Sequence, residues 1–200
     1  MLLMINCGIM RVFLSVLILI FSFQSWTKAD DIRDFEIEGI TVEDSALNYY
    51  TKDFIESKKK HYYPSSNKYF RINFRDEKLK TYEALQLQFK SDDEKYIIHS
   101  IAGMILYEDN IKECYDFKNN IVVPEIRSIF LNAEEKTANE PHEYDSSGKS
   151  MIDIIWFILD DGNIAVSCSD WSESIGIGDK LTIKVNTKEF ENFVNSEAYN

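Results

Sequence analysis

The chain has 200 residues, 44% hydrophobic and 28% charged, which is enough for one domain with a real core. Its net charge of −12 repels nucleic acid and anionic lipid headgroups at long range, so neither is expected as a partner. An acidic surface favours solubility or a basic partner without naming one.

The first charged residue is Arg11 and the next is Lys28, with the apolar stretch VFLSVLILIFSFQSW (12–26) between them. That run is of signal-peptide length and too short for a convincing membrane span. Thr27 and Ala29 are the small residues a signal peptidase reads, so cleavage is expected after Ala29. The reading is a signal peptide at 1–29, one domain at 30–200, and a periplasmic location. Losing Arg11 and Lys28 takes the net charge from −12 to −14. Nothing after the leader approaches membrane length, so no membrane span is expected in the mature chain. Cys7 leaves with the leader, and Cys114 and Cys168 remain. In an oxidising compartment they favour a structural disulfide. Two separate buried thiols or a redox pair are the alternatives, although neither cysteine belongs to a CxxC.

FEIEGI (35–40) alternates and reads as a strand. TVED (41–44) then supplies an N-cap and acids for a helix over about 42–57 that carries Leu47, Tyr50 and Phe54 on one face. HYYPSSNK (61–68) is a loop. YFRINF (69–74) and YEALQLQF (82–89) each set a dry face against a wet one, as in an antiparallel sheet packed on one side. YIIHSIAGMILY (96–107) is almost wholly apolar and reads as a central strand, with Gly103 marking a bulge or a close contact. Residues 108–132 repeat apolar positions at helical steps, and Pro124 is expected to kink or break that helix. The polar stretch 132–150 reads as a mobile loop. MIDIIWFIL and NIAVSCSDW flank a hairpin turn at Asp161-Gly162, KLTIKV (180–185) is a further strand, and Asn186 caps a last helix with Phe190, Phe193 and Val194 buried. The order predicts an α+β fold: an antiparallel twisted sheet of about six or seven strands with three helices packed on one face. A Cys114–Cys168 bridge would staple the second helix to the hairpin's return strand.

One stretch looks catalytic. Gly148-Lys149-Ser150 matches the end of a phosphate-binding loop, but that motif needs a glycine five residues before Gly148, where Glu143 stands. The motif should also open a helix, and here a strand follows. A turn is the expected structure. His142, near Glu143, Asp145 and Lys149, forms a weak candidate site, and His99 in an apolar strand is a further candidate. No metal, no cofactor and no catalytic signature emerges from the spacing. Tyr62, Tyr63, Tyr69, Trp156 and Trp171 belong to an aromatic population that mostly packs the core, with a peptide, glycan or apolar-ligand groove as the alternative.

The opening ADDIRDFEIEGITVEDSALNYYTKDFIESKKK, the cysteine in IKECYDF, the loop DSSGKS and the segment IAVSCSDW together resemble small secreted proteins of marine alphaproteobacteria. The resemblance implies an exported α+β domain with a Cys114–Cys168 bridge and carries no activity. The first strand-turn-helix also resembles the start of small outer-membrane assembly lipoproteins. The expectation is a non-catalytic binding or protein-interaction module of the cell envelope, with an envelope protein, peptide or glycan as partner. The alternatives are an envelope hydrolase and a small-ligand carrier using the 142–150 loop or an aromatic groove.

Overall fold

A computed structural model describes residues 31–200; the expected signal peptide at 1–29 lies outside the described residues. The architecture is the α+β fold expected. Seven strands form one open, wholly antiparallel sheet: β1 (Tyr69–Phe74), β2 (Ala84–Lys90), β3 (Ser100–Glu108), β4 (Glu134–Pro141), β5 (Met151–Ile158), β6 (Gly162–Asp170) and β7 (Asp179–Thr187). Their order is β1-β2-β3-β7-β6-β5-β4, so β7 is central and the 96–107 segment, expected there, lies one strand away. The helices are α1 (Lys52–Lys58), α2 (Ile111–Phe117), α3 (Val123–Ile129) and α4 (Lys188–Ser196). Among the described residues no helix is long and apolar enough to cross a membrane.

Strand alternation sorts the side chains. Phe70, Ile72, Leu85, Leu87, Ile101, Ile183, Val185, Ile164, Val166 and Phe157 are buried on one face, packed against Val122, Val123, Ile126 and Phe130 of the α2–α3 segment and the turn that follows it. Cys114 in α2 is bonded to Cys168 in β6 with Cα atoms 6.0 Å apart, so the bridge joins helix to sheet as expected. Lys118 reaches over the same face to the Asp153 carboxylate of β5. Contrary to the one-sided expectation, α4 packs on the opposite face, where Phe190 and Phe193 bury themselves with Tyr63, Tyr69 and Ala198. Tyr69, adjacent to Phe70 in sequence, points the other way by the period of two and anchors that second cluster.

Several local readings change for identifiable reasons. FEIEGI is a tight reversal, not a strand: Ile37 and Ile40 exchange hydrogen bonds of 2.9 and 3.1 Å around Glu38 (φ 57°) and Gly39 (φ 74°). The Glu38 carboxylate then takes the backbone N–H groups of Lys80, Thr81 and Tyr82, fixing the reversal to the β2 approach. The helix expected over 42–57 begins only at Lys52, capped by Thr51. Upstream, Glu43 sits at φ 68° and donates to the Ile98 carbonyl at 2.7 Å, while Ala46 donates to the Tyr96 carbonyl at 2.9 Å. Tertiary pairing with 96–98 wins over helix propensity there. At Pro124 the helical path continues, but not as one α-helix: the α-helical hydrogen bonding stops at Phe117 and resumes at Val123. A π-turn at Lys118–Val122 precedes it, in which Val123 donates to the Lys118 carbonyl, and the wider turn relieves the ring clash and the missing donor. The stretch read as a mobile loop contains the edge strand β4, paired with β5 along its whole length from Glu134–Ile158 to Pro141–Met151. The hairpin tip is Asp160-Asp161, one residue earlier than expected, since Leu159 donates to Gly162 at 2.9 Å. Thr187, not Asn186, caps α4. Gly103 makes the close contact foreseen, with the Tyr82 ring where a Cβ would lie.

Candidate functional site

The sheet face opposite the main core has a floor of small side chains. In register across the strands stand Ala102, Lys184 and Ala165, then Thr182 opposite Ser167, then Lys180 opposite Ser169. Alternation in KLTIKV buries Leu181, Ile183 and Val185 in the core and sends Lys180, Thr182 and Lys184 to this face. Arg71 leaves β1 on the same side, opposite Gln88. Three cations thus rise over one floor.

Each cation lies against a ring. The Arg71 guanidinium carbon is 3.6 Å from the Tyr62 centroid, Lys180 Nζ is 5.3 Å from that of Trp171, and Lys184 Nζ is 5.4 Å from that of Phe190. Such contacts suit the negative face of an aromatic ring. The rings in turn touch one another in a continuous rim. Phe190 meets Tyr63 at 6.2 Å, Tyr63 meets Tyr62 at 5.4 Å, Tyr62 meets Tyr144 at 6.1 Å, Tyr144 meets His142 at 5.5 Å, and His142 lies 4.1 Å from Trp171.

Among the described residues none of the three cations makes an ion pair. Burial, and then the like charge of Arg71, push the Lys180 ammonium below the usual lysine range and Lys184 down to about 8. Arg71 Nε and Trp171 Nε1 are buried donors with no hydrogen-bond acceptor among the described residues. Donors and positive charge left unpaired on a partly buried face match an anion.

The 142–150 loop builds one side of the rim. Asp145 is its knot: the carboxylate accepts from the Ser147 and Ser150 backbone N–H groups at 2.9 Å each, from Ser150 Oγ at 2.6 Å and from Ser172 Oγ at 3.0 Å. Those bonds hold its carboxyl far below the ordinary range. Gly148 (φ 69°) completes a turn, closed by Gly148 N–H donating to the Asp145 carbonyl at 2.9 Å. GKS is therefore turn chemistry rather than a phosphate loop, as its spacing implies.

The four sequence-derived candidates separate. His142 stands in the rim, where its Nδ1 accepts from Tyr144 N–H at 3.3 Å; burial, then Lys180, lower its pKa. Asp145 lies beneath it with its oxygens engaged by the loop. Lys149 is exposed at the loop tip. His99 belongs to the other end of β7, 3.5 Å from Thr187 Oγ1 and 3.7 Å from the Glu189 carboxylate, under the edge of the Tyr69 ring. Burial, then Lys90, lower its pKa. His142 and His99 thus share no site. Arg71, Lys180 and Lys184 were not foreseen; the alternation assigns them to a wet face, but nothing in one strand's spacing shows that they converge.

Lys184 and Phe190 also line a groove of about 720 Å³ between α4 and the outer face of β4–β6, floored by Ile154, Trp156, Ile158 and Ala165. A separate hollow of about 680 Å³ lies under the Glu38 reversal and is edged by Asp34, Asp76, Tyr49 and Tyr50. Among the described residues no group of three or more His, Cys, Asp or Glu side chains is arranged to hold a metal. No protein family, curated protein or solved structure matches the chain.

Proposed function

We propose that this chain is an exported, non-catalytic binding module of the cell envelope that holds an anionic ligand on the ring-rimmed sheet face. The observation that carries this is the convergence of Arg71, Lys180 and Lys184, none with a carboxylate partner among the described residues, in a chain of net charge −12. By contrast Lys90 and Lys188 lie against the Glu189 and Glu191 carboxylates. The arrangement offers charge and flat apolar contact together, and no nucleophile–base pair. Export is supported by the apolar leader and its small-residue cleavage site, and by the resemblance to secreted alphaproteobacterial proteins.

A paired-dye titration tests the ligand reading. Anilinonaphthalene sulfonate, which is anionic, is expected to bind with strong salt dependence. N-phenylnaphthylamine, its neutral counterpart, is expected to bind at least about tenfold more weakly, the ratio that one charge-assisted hydrogen bond supplies. The R71Q/K184Q double variant should abolish the difference. Equal binding of both dyes to the native protein would overturn the reading. Mass measurement on the exported protein tests cleavage after Ala29.

A further inference from the structure

Resting on the anion-binding reading, we infer that the ligand is a single-chain amphiphile, its acidic head among Arg71, Lys180 and Lys184 and its alkyl chain laid along the groove floored by Trp156. The reasoning begins with β5. In a strand whose other face is buried, the outward positions are normally polar. Here they are Ile154, Trp156 and Ile158, half-buried and not needed by the core. A contiguous apolar strip left facing outward marks an interaction site.

Several polar groups around the groove already have partners. Asn186 donates to Asn163 Oδ1 at 2.9 Å and accepts from Ser100 Oγ at 2.7 Å. Glu191 is held by Lys188 at 2.9 Å and Lys136 by Glu134 at 3.3 Å. Lys184 has no ion-pair partner among the described residues and lines the groove, its Nζ 5.4 Å from the Phe190 ring centroid. A ligand filling this space therefore meets apolar contact along the strip and the Lys184 ammonium, which no carboxylate pairs, on its β7 side. That is the complement of a long-chain carboxylate.

Shape and charge disfavour a membrane as the partner. The strip is a groove flanked by Val194 and Phe190 of α4 rather than a flat face, and a net charge of −12 opposes approach to an anionic membrane. The volume falls within the ordinary range of small-molecule sites.

The test is calorimetric titration of the purified protein with sodium carboxylates from butanoate to hexadecanoate, below their micellar concentrations, and with dodecanol. Affinity is expected to rise about fourfold per added methylene until the groove is full, the ratio that burial of one CH₂ supplies. Dodecanol should bind at least about tenfold more weakly than dodecanoate. W156E should flatten the chain-length series and leave the dodecanoate–dodecanol preference; K184Q should do the reverse. I154E, on the same floor, repeats the W156E test should that variant fail to fold. If butanoate and dodecanoate bind equally, the groove assignment falls and the anion site stands. If dodecanol matches dodecanoate, the anion site falls. If no carboxylate binds, both fall. Sedimentation of the protein with phosphatidylglycerol vesicles, expected to be absent, would replace the single-chain ligand with a membrane surface.

Discussion

Replacing both bridged cysteines by alanine tests how the helical layer is held to the sheet. Cys114 and Cys168 are fully buried and separated by 54 positions, and they tie α2 to β6. In the chain-entropy treatment a loop of this size restricts the unfolded state by about 4 kcal/mol, an upper figure when native strain subtracts from it. For a domain of this size about 1 kcal/mol moves the melting temperature by about 2–4 °C, so C114A/C168A should melt about 8–16 °C below the native protein. Thermal unfolding followed by far-ultraviolet circular dichroism measures this. Native protein with reductant isolates the bond from the loss of two sulfur atoms. Hydrogen exchange should accelerate first in Ile111–Phe117, the segment that the bridge anchors. A variant melting within about 2 °C of the native protein would refute the reasoning, because the bond would then restrict an already compact unfolded state.

Other perturbations have equally definite outcomes. Gly162→Ala should cost about 1–3 kcal/mol in urea titration, since the added Cβ would stand 2.0 Å from the Asn186 carbonyl oxygen and 2.7 Å from Ile32 Cδ1. Ligand affinity should fall as pH rises through about 8, where Lys184 loses its proton, and K184Q should remove that step from the binding profile. In the free protein the same group makes the unfolded chain bind more protons between about 8 and 10.5, so stability should rise with pH across that window in native protein and not in K184Q. Asp145→Ala should free the rim loop, with limited proteolysis appearing within 142–150 and no large change in the core. Because the folded carboxyl is depressed, the contribution of Asp145 should be complete above its unfolded pKa of 3.8 and vanish as pH falls toward its folded value, a loss seen as acid-induced cleavage at the same bonds.

The sheet was legible wherever two-residue alternation was clean. YFRINF, ALQLQF and KLTIKV carry their core faces openly, and β1, β2 and β7 lie close to where that pattern puts them. The failures have a common cause in partners distant along the chain. Glu43 takes a left-handed conformation because Ile98 offers a carbonyl, which helix propensity cannot report. β4 has no apolar alternation because both of its faces are largely wet, so composition reads it as a loop although β5 gives it a full ladder. The candidate site was legible only in part. The 142–150 loop drew attention through His142 and Asp145, and the structure uses the first as rim and the second as knot. The cations on the floor come from β1 and β7, which are more than 100 positions apart, and only the strand order brings them together.

That strand order also sets when the molecule can finish forming. β1-β2-β3 and β4-β5-β6 are two separate meanders, each made of neighbours in sequence, and β7 alone joins them by pairing with β3 on one side and β6 on the other. Pairing Ile101 with Val185 closes a long loop before it gains a contact, a slow event compared with hairpin formation. A chain made amino-terminus first therefore holds two half-sheets with exposed inner edges until Asp179–Thr187 arrives, and shortening the carboxyl end, rather than the amino end of the domain, is what would leave the sheet as two halves.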